Sequence, residues 1–113
     1  MKRRILIVED NVSLSQRQKD WFAQAGYDAM TAMNEPIARA LIRKHQFDLI
    51  LSDVRLPEGN GIYLLEWLKK EKRDIPFIIT TEYVSVPDVV RTIKLGAKDY
   101  LPKPVHREHL LEL

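Results

Sequence analysis

Four short apolar runs in this chain each end in side chains suited to phosphate or metal. Ile5-Leu6-Ile7-Val8 ends at Glu9-Asp10, and Leu49-Ile50-Leu51-Ser52 ends at Asp53. Phe77-Ile78-Ile79 ends at Thr80-Thr81, and Tyr100-Leu101-Pro102 ends at Lys103-Pro104. Leu49 to Ser52 and Phe77 to Thr80 lack the polar alternation of a half-exposed strand, as expected for strands buried on both faces. If the runs are parallel strands, their polar ends meet on one edge of one sheet. Open parallel sheets bind ligands at that edge.

Between these runs the chain reads as helix. After Asp10, Asn11 or Ser13 can cap a helix whose apolar face carries Leu14, Trp21, Phe22 and Ala25, and Gly26 stops it. Tyr27 to Ala32 is a weaker strand. Asn34-Glu35-Pro36 opens a second helix, with Asn34 as cap and Pro36 in the first turn; Ile37, Ala38, Leu41 and Ile42 form its apolar stripe. Gly59-Asn60-Gly61 is a turn signal, and Ile62, Leu64, Leu65 and Leu68 follow at helical spacing. Ser85-Val86-Pro87-Asp88 resembles a capping box ahead of a helix carried by Val89, Val90 and Ile93 until Gly96. Arg107 to Leu113 reads as a last helix of only about two turns, shorter than covering one face of a sheet requires, so it is expected to be truncated. Strict alternation of β and α implies a parallel sheet covered on both faces, with right-handed crossovers.

The chain has 113 residues, which fits one domain. With no cysteine it has neither a disulfide framework nor a thiolate metal site. No apolar run approaches the roughly 20 residues that span a bilayer, and the apolar stretch after Met1-Lys2-Arg3-Arg4 is too short for a signal peptide. A cytoplasmic protein without membrane contact is expected. Net charge is +2, with Lys and Arg spread along the chain, so no direct nucleic-acid contact by this segment is expected.

Glu9, Asp10 and Asp53 fall on neighbouring strand ends, where like charges repel and raise each other's pKa unless a cation offsets them. Lys103 is one such cation and a hard divalent ion is the other. Mg²⁺ takes oxygen ligands and is usually held by one or two carboxylates plus a phosphate. A carboxylate can also attack phosphorus to give an acyl phosphate, and phosphoryl transfer needs little beyond positioning and charge neutralisation. The Thr81 hydroxyl could donate to a phosphoryl oxygen. Taken singly, each of these residues is a common structural one. Their conjunction at successive strand ends is what points to chemistry.

With Ile7-Val8-Glu9-Asp10-Asn11, Leu49 to Pro57, Gly61, Thr81 and Gly96 to Pro104 in these positions, the whole chain, residues 1–113, resembles the receiver (CheY-like) domain of two-component response regulators. The resemblance implies a flavodoxin-like five-stranded parallel sheet in order 2-1-3-4-5 with helices on both faces. It implies that Asp53 is the phosphoacceptor, and that Glu9, Asp10, Asp53 and the backbone carbonyl of Arg55 bind Mg²⁺. Lys103 would be the phosphate partner, Thr81 the switch hydroxyl and Tyr100 the aromatic whose rotamer follows activation. The Lys103–Pro104 peptide would be cis. Thr80 competes with Thr81 for the switch role; the spacing to Lys103 favours Thr81. Glu82 stands where the family usually has a small residue, and Tyr83 and Arg55 stand where it varies its dephosphorylation rate.

The implied partners are a sensor histidine kinase and an output domain outside this chain. The motifs are most similar to receivers of the nitrogen-regulator type, which precede an ATPase domain acting with sigma-54 polymerase and a DNA-binding domain. The implied role is a switch in transcription regulation that autocatalyses its own phosphorylation and dephosphorylation, and not a metabolic enzyme. Arg91, Lys94, Lys98 and Asp99 lie where the family docks partners or a second receiver, or they are simply a solvated face. Lys69-Lys70-Glu71-Lys72-Arg73 reads as a solvated helix end, where cations suit the macrodipole. His45 likewise ends the second helix. His106 and His109, three apart without a third ligand, read as surface residues.

The alternative is an interaction module, or pseudo-receiver, acting without phosphorylation; it would be expected to lack the acceptor Asp, the acid pair or the Lys. A phosphatase of the haloacid-dehalogenase kind wants a second Asp two residues after the nucleophile, where this chain has Arg55. A flavodoxin wants a hydroxyl- and glycine-rich phosphate loop after the first strand, where this chain has Glu9-Asp10-Asn11.

Overall fold

A computed structural model describes residues 2–112. The strands β1 (Arg4–Val8), β2 (Asp28–Ala32), β3 (Leu49–Asp53), β6 (Phe77–Thr81) and β7 (Asp99–Pro102) form one sheet, in order β2-β1-β3-β6-β7. Every pairing in it is parallel. The expected order 2-1-3-4-5 is the same one, because the intervening strands β4 (Arg55–Leu56) and β5 (Gly59–Asn60) pair only with each other.

Alternation along each strand divides the core. Ile5, Ile7, Leu51, Ile78 and Leu101 point to one face, where they meet Phe22 of α1 (Val12–Gln24) and Leu110 of α5 (Arg107–Glu112). Leu6, Val8, Ile50, Phe77 and Ile79 point to the other. There they meet α2 (Glu35–Lys44) through Ala38 and Ile42, and α3 (Gly61–Lys70) through Ile62, Leu64, Leu65 and Leu68. Each fully buried Leu, Ile or Phe contributes about 1.5–3 kcal/mol of transfer free energy. A one-residue slip of any strand would exchange its two faces. The register of β1, β3 and β6 is therefore firmly specified, and with it the level at which each strand presents its polar end.

Asn11, Asn34 and Ser85 cap helices as the sequence indicates, and Asn60, expected only in a turn, caps one as well. Asn11, Asn34, Asn60 and Ser85 each accept a backbone N–H from the first turn of α1, α2, α3 and α4 (Val86–Lys94). Four expectations need correction. After α1, Ala25 is exposed, and the buried positions of the helix are Ser15, Gln18 and Phe22. The turn lies at Pro57-Glu58, one pair earlier than Gly59-Asn60-Gly61: Gly59 and Asn60 form the return strand of a hairpin, and Gly61 starts α3. In α2, Ile37 is exposed, and the buried positions are Glu35, Ala38 and Ile42. In α4, Val90 and Ile93 are exposed and Thr92 is buried. That helix rests on its neighbours through a narrow face, so its apolar residues exceed what the core can cover. Of the expected last helix, Leu113 lies outside the described residues.

Candidate functional site

The polar strand ends do converge. Glu9 follows β1 directly and is 4% exposed; its N–H donates to Ala32 O at 2.9 Å, and its Oε2 accepts the Asn11 N–H at 3.1 Å. Asp53 closes β3 at 8% exposure, while Asp10 is exposed. Lys103 follows β7, and its own N–H donates to Thr81 O at 2.7 Å. That tie brings its ammonium back over the sheet edge, where Nζ donates to Glu9 Oε1 at 2.7 Å and to Asp53 Oδ2 at 3.0 Å. The Lys103–Pro104 peptide is cis.

The charges do not balance. Glu9, Asp10 and Asp53 each offer a carboxylate oxygen, all within 4.8 Å of one another. Burial pushes the Glu9 and Asp53 carboxyls above the usual carboxylate range, and the hydrogen bonds from Lys103 offset this only in part. Burial alone would lower Lys103, but its hydrogen bonds to Glu9 and Asp53, and their charges, hold it above the ordinary lysine value. One ammonium therefore faces more negative charge than it neutralises. The donor set is all oxygen, on the rim of a cavity of about 160 Å³ lined by Asp10, Asp53, Arg55, Thr81, Glu82 and Tyr83. Hard oxygen donors in excess of local positive charge fit Mg²⁺. Among the described residues this is the only cluster of three or more metal-competent side chains, and His106 and His109 are exposed and outside it.

The loop after Asp53 is a tight hairpin. Gly61 N–H bonds Val54 O at 2.9 Å, while Arg55 pairs with Asn60 and Leu56 with Gly59. In an antiparallel ladder hydrogen-bonded pairs alternate with non-bonded ones, so Arg55 and Asn60 form a non-bonded pair and the Arg55 carbonyl faces outward. Gly61 is required for this path: a Cβ there would run into the Asp53 carbonyl and lie 2.7 Å from Ser52 Oγ. Across the cavity mouth, the Arg55 guanidinium stacks on the Tyr83 ring, 4.9 Å from its centroid.

Of the two threonines closing β6, Thr81 lines the cavity. Thr80 is equally buried but sits in register with Asp53 on the opposite side of the strand's alternation. Tyr100 is half-buried against the core on the α2 and α3 side, and its buried hydroxyl has no hydrogen-bond partner among the described residues. Glu82 is exposed at the rim. Arg91 is paired with Glu66 at 2.6 Å, and Asp99 Oδ1 accepts the Tyr100 N–H at 2.8 Å; neither reaches the acid cluster. Two features escaped sequence reasoning, the Arg55–Tyr83 stack and the burial of Glu35 beneath the hairpin. Both depend on a two-residue turn at Pro57-Glu58 that no strong glycine signal marks.

Comparison with known proteins agrees with this geometry. A family profile described as the response regulator receiver domain matches residues 5–113. The chain is 32% identical over 112 residues to response regulator protein PilR of Pseudomonas aeruginosa, an alignment covering 99% of this chain and 25% of PilR. It is 34% identical over 114 residues to the polar-differentiation response regulator DivK of Brucella anthropi, covering 99% of this chain and 93% of DivK. It is 38% identical to the transcriptional regulatory protein ZraR of Salmonella typhimurium over 112 residues, covering 96% of this chain and 24% of ZraR. The chain thus spans about a quarter of two of these relatives and nearly all of the third. Among solved structures, a CheY-like receiver domain protein from Methanospirillum hungatei superposes with a TM-score of 0.94 at 33% identity, covering 99% of this chain and 90% of that one. The sheet order, the acid cluster, the lysine that bridges it and these matches together make the chain a member of the response regulator receiver domain family of two-component systems.

Proposed function

We propose that Asp53 is the phosphoacceptor of a Mg²⁺-dependent transfer from a partner histidine kinase, with the phosphorylated state switching an output that regulates transcription. The observation that carries this reading is Lys103: its ammonium bridges Asp53 and Glu9 at hydrogen-bonding distance, beside three carboxylates able to share a cation.

The chemistry follows from the residues. An Asp53 carboxylate oxygen attacks phosphorus, a P–O or P–N bond to the donor breaks, and the leaving group departs with the electron pair. Lys103 holds Asp53 in place and then donates to a phosphoryl oxygen. Glu9, Asp10, Asp53 and the Arg55 carbonyl would hold Mg²⁺, which supplies positive charge against the developing phosphoryl oxygens. Thr81 turns its hydroxyl towards the adduct, and Tyr100 follows into the space vacated. The phosphoryl group would shift a pre-existing equilibrium at α4 and β7. The domain is a switch that catalyses its own phosphorylation and slow hydrolysis.

Residues 1–113 serve as one receiver domain in this reading, with the output domain outside this chain. Similarity to nitrogen-regulator receivers favours a sigma-54 ATPase with a DNA-binding domain. DNA contact then belongs to the output domain, the protein works in the cytoplasm, and two receivers pair through the α4 and β7 region around Arg91, Lys94, Lys98 and Asp99. The exposed Val86, Val90 and Ile93 support docking there. No helix among the described residues is long and apolar enough to cross a membrane.

The test is intact mass after incubation with acetyl phosphate, with and without Mg²⁺, on wild type and Asp53→Asn. A Mg²⁺-dependent gain of about 80 Da, one phosphoryl group, absent from the variant, is the expected result. No adduct under a fast quench, and no beryllofluoride binding, would turn the reading to an interaction module that works without phosphorylation.

A further inference from the structure

Glu35 opens α2, far from the acid cluster in sequence, yet it is 6% exposed. Its Oε2 pairs with Arg39 one turn on, and its Oε1 accepts the Asn60 N–H at 3.1 Å. Arg39 in turn lies over the Trp67 ring of α3, 5.2 Å from its centroid. The hairpin is built to admit this carboxylate. Gly59 has φ +125, and a Cβ there would overlap Glu35 Oε1 and lie 2.8 Å from Glu35 Cβ. Asn60 is itself committed on its other side, where Oδ1 accepts the Tyr63 N–H at 2.8 Å and so caps α3.

Arg55 and Asn60 face each other across the hairpin as a pair without mutual backbone hydrogen bonds. Their polar groups therefore point to opposite outer edges. One edge offers the Arg55 carbonyl, and the other presents the Asn60 N–H, which Glu35 holds. A two-stranded ribbon of two residues each has little stability of its own. The Gly61–Val54 bond and Leu56 on the core anchor its base, and the tether to α2 adds a fixed point on the outer edge of its return strand.

We propose that Glu35 is a positioning residue for the metal site: by gripping the Asn60 N–H from α2, it holds the hairpin so that the Arg55 carbonyl stays aimed at the cation bound by Glu9, Asp10 and Asp53. This rests on the phosphoacceptor reading above. Glu35 touches neither cation nor phosphate. It acts as outer-shell partners of metal ligands do, by removing freedom from a ligand that would otherwise sample other orientations. It also makes α2 and α3, through Arg39 and Trp67, part of the frame of the site.

The experiment is calorimetric titration of Mg²⁺ into wild type, Glu35→Ala, Glu35→Asp and Glu35→Gln, with acetyl phosphate labelling rates measured at saturating Mg²⁺. Glu35→Asp keeps the charge and a partner for Arg39 but withdraws the carboxylate from Asn60, so it tests the tether even if Glu35→Ala does not fold. Glu35→Gln keeps an oxygen that can accept the Asn60 N–H. The expected result is Mg²⁺ affinity about tenfold weaker in Glu35→Ala and Glu35→Asp, and recovered to within about twofold in Glu35→Gln. Labelling rates at saturation should stay close to wild type, because the tether acts on the cation's affinity. Wild-type affinity in Glu35→Asp, whatever its melting temperature, would reduce Glu35 to a fold-stabilising residue and overturn the inference. A wild type that binds no Mg²⁺ would instead overturn the phosphoacceptor reading itself.

Discussion

The Thr81 hydroxyl is held twice by the backbone of Tyr83: Oγ1 donates to Tyr83 O at 2.9 Å and accepts the Tyr83 N–H at 3.1 Å. It is therefore engaged with the loop that leaves β6. To serve a phosphoryl oxygen it must give up at least its donor bond, and the Tyr83 carbonyl it releases must find another partner. Exchange at this one atom would couple a phosphoryl group on Asp53 to the segment leading into α4.

Thr81→Ala should accordingly leave Asp53 labelling by acetyl phosphate close to wild type while silencing its propagation. Amide resonances of α4 should move on phosphorylation of wild type and stay near their starting positions in the variant. Thr80→Ala should keep the wild-type response, since Thr80 does not line the cavity. The reverse pattern would transfer the switch role to Thr80.

The Arg55–Tyr83 stack spans the mouth of the same cavity. An exposed cation–π contact is worth about 0.5–1 kcal/mol, enough to bias the mouth towards closure but not to seal it. Tyr83→Ala should open the approach for attacking water. We expect the acyl phosphate half-life to fall about two- to fivefold, the factor that such an energy represents, as followed by loss of the labelled species over time. An unchanged half-life would mean that water reaches Asp53 by another route.

Glu82 adds negative charge at the rim, where an anionic donor must approach. Because the residue is exposed, its effect acts on approach and is screened by salt. Glu82→Ala should speed labelling by acetyl phosphate at low ionic strength, and the advantage should shrink as salt is added. Equal rates at low salt would show that this carboxylate points away from the donor's path.

The four polar strand ends were legible because each follows an apolar run, and parallel pairing then fixes where they meet. Asn34 as a cap follows from the same kind of local rule, whereas the sheet order comes from the resemblance to receiver domains and Asn60 reads only as part of a turn. Glu35 was not legible. An acid at the first turn of a helix is adequately explained by the macrodipole, and only the three-dimensional path of the hairpin reveals that it is buried and holds Asn60. Val90 and Ile93 mislead for the opposite reason. Their helical spacing predicts a buried stripe, but α4 carries apolar surface that its neighbours in the fold do not cover.

The acid cluster also makes the stability of the metal-free protein depend on pH in a definite direction. Burial raises Glu9 and Asp53 above their ordinary values of 4.5 and 3.8, so the native state takes up protons more readily than the unfolded chain. Their contribution to stability is fully present below those ordinary values and is lost as pH rises through the native ones. Lys103 is raised above 10.5, so its contribution is present throughout the acid and neutral range and is lost only as pH rises through its native value. At neutral pH the native state therefore carries crowded carboxylates at a cost. Asp53→Asn removes one of those charges and leaves an amide oxygen for Lys103. Without metal it should be more stable than wild type at pH 7, because the crowding of buried carboxylates is relieved while Lys103 keeps Glu9 as its ion partner. Denaturant midpoints measured between pH 4 and pH 8 should show this advantage shrinking towards the acid end, as the raised Asp53 carboxyl of the wild type takes up its proton. Added Mg²⁺ should then raise the wild-type midpoint more than that of the variant, since a ligand that binds only the native state stabilises it more the tighter it binds. A variant less stable than wild type at pH 7 without metal would mean that the Lys103–Asp53 ion pair outweighs the burial of the carboxylate.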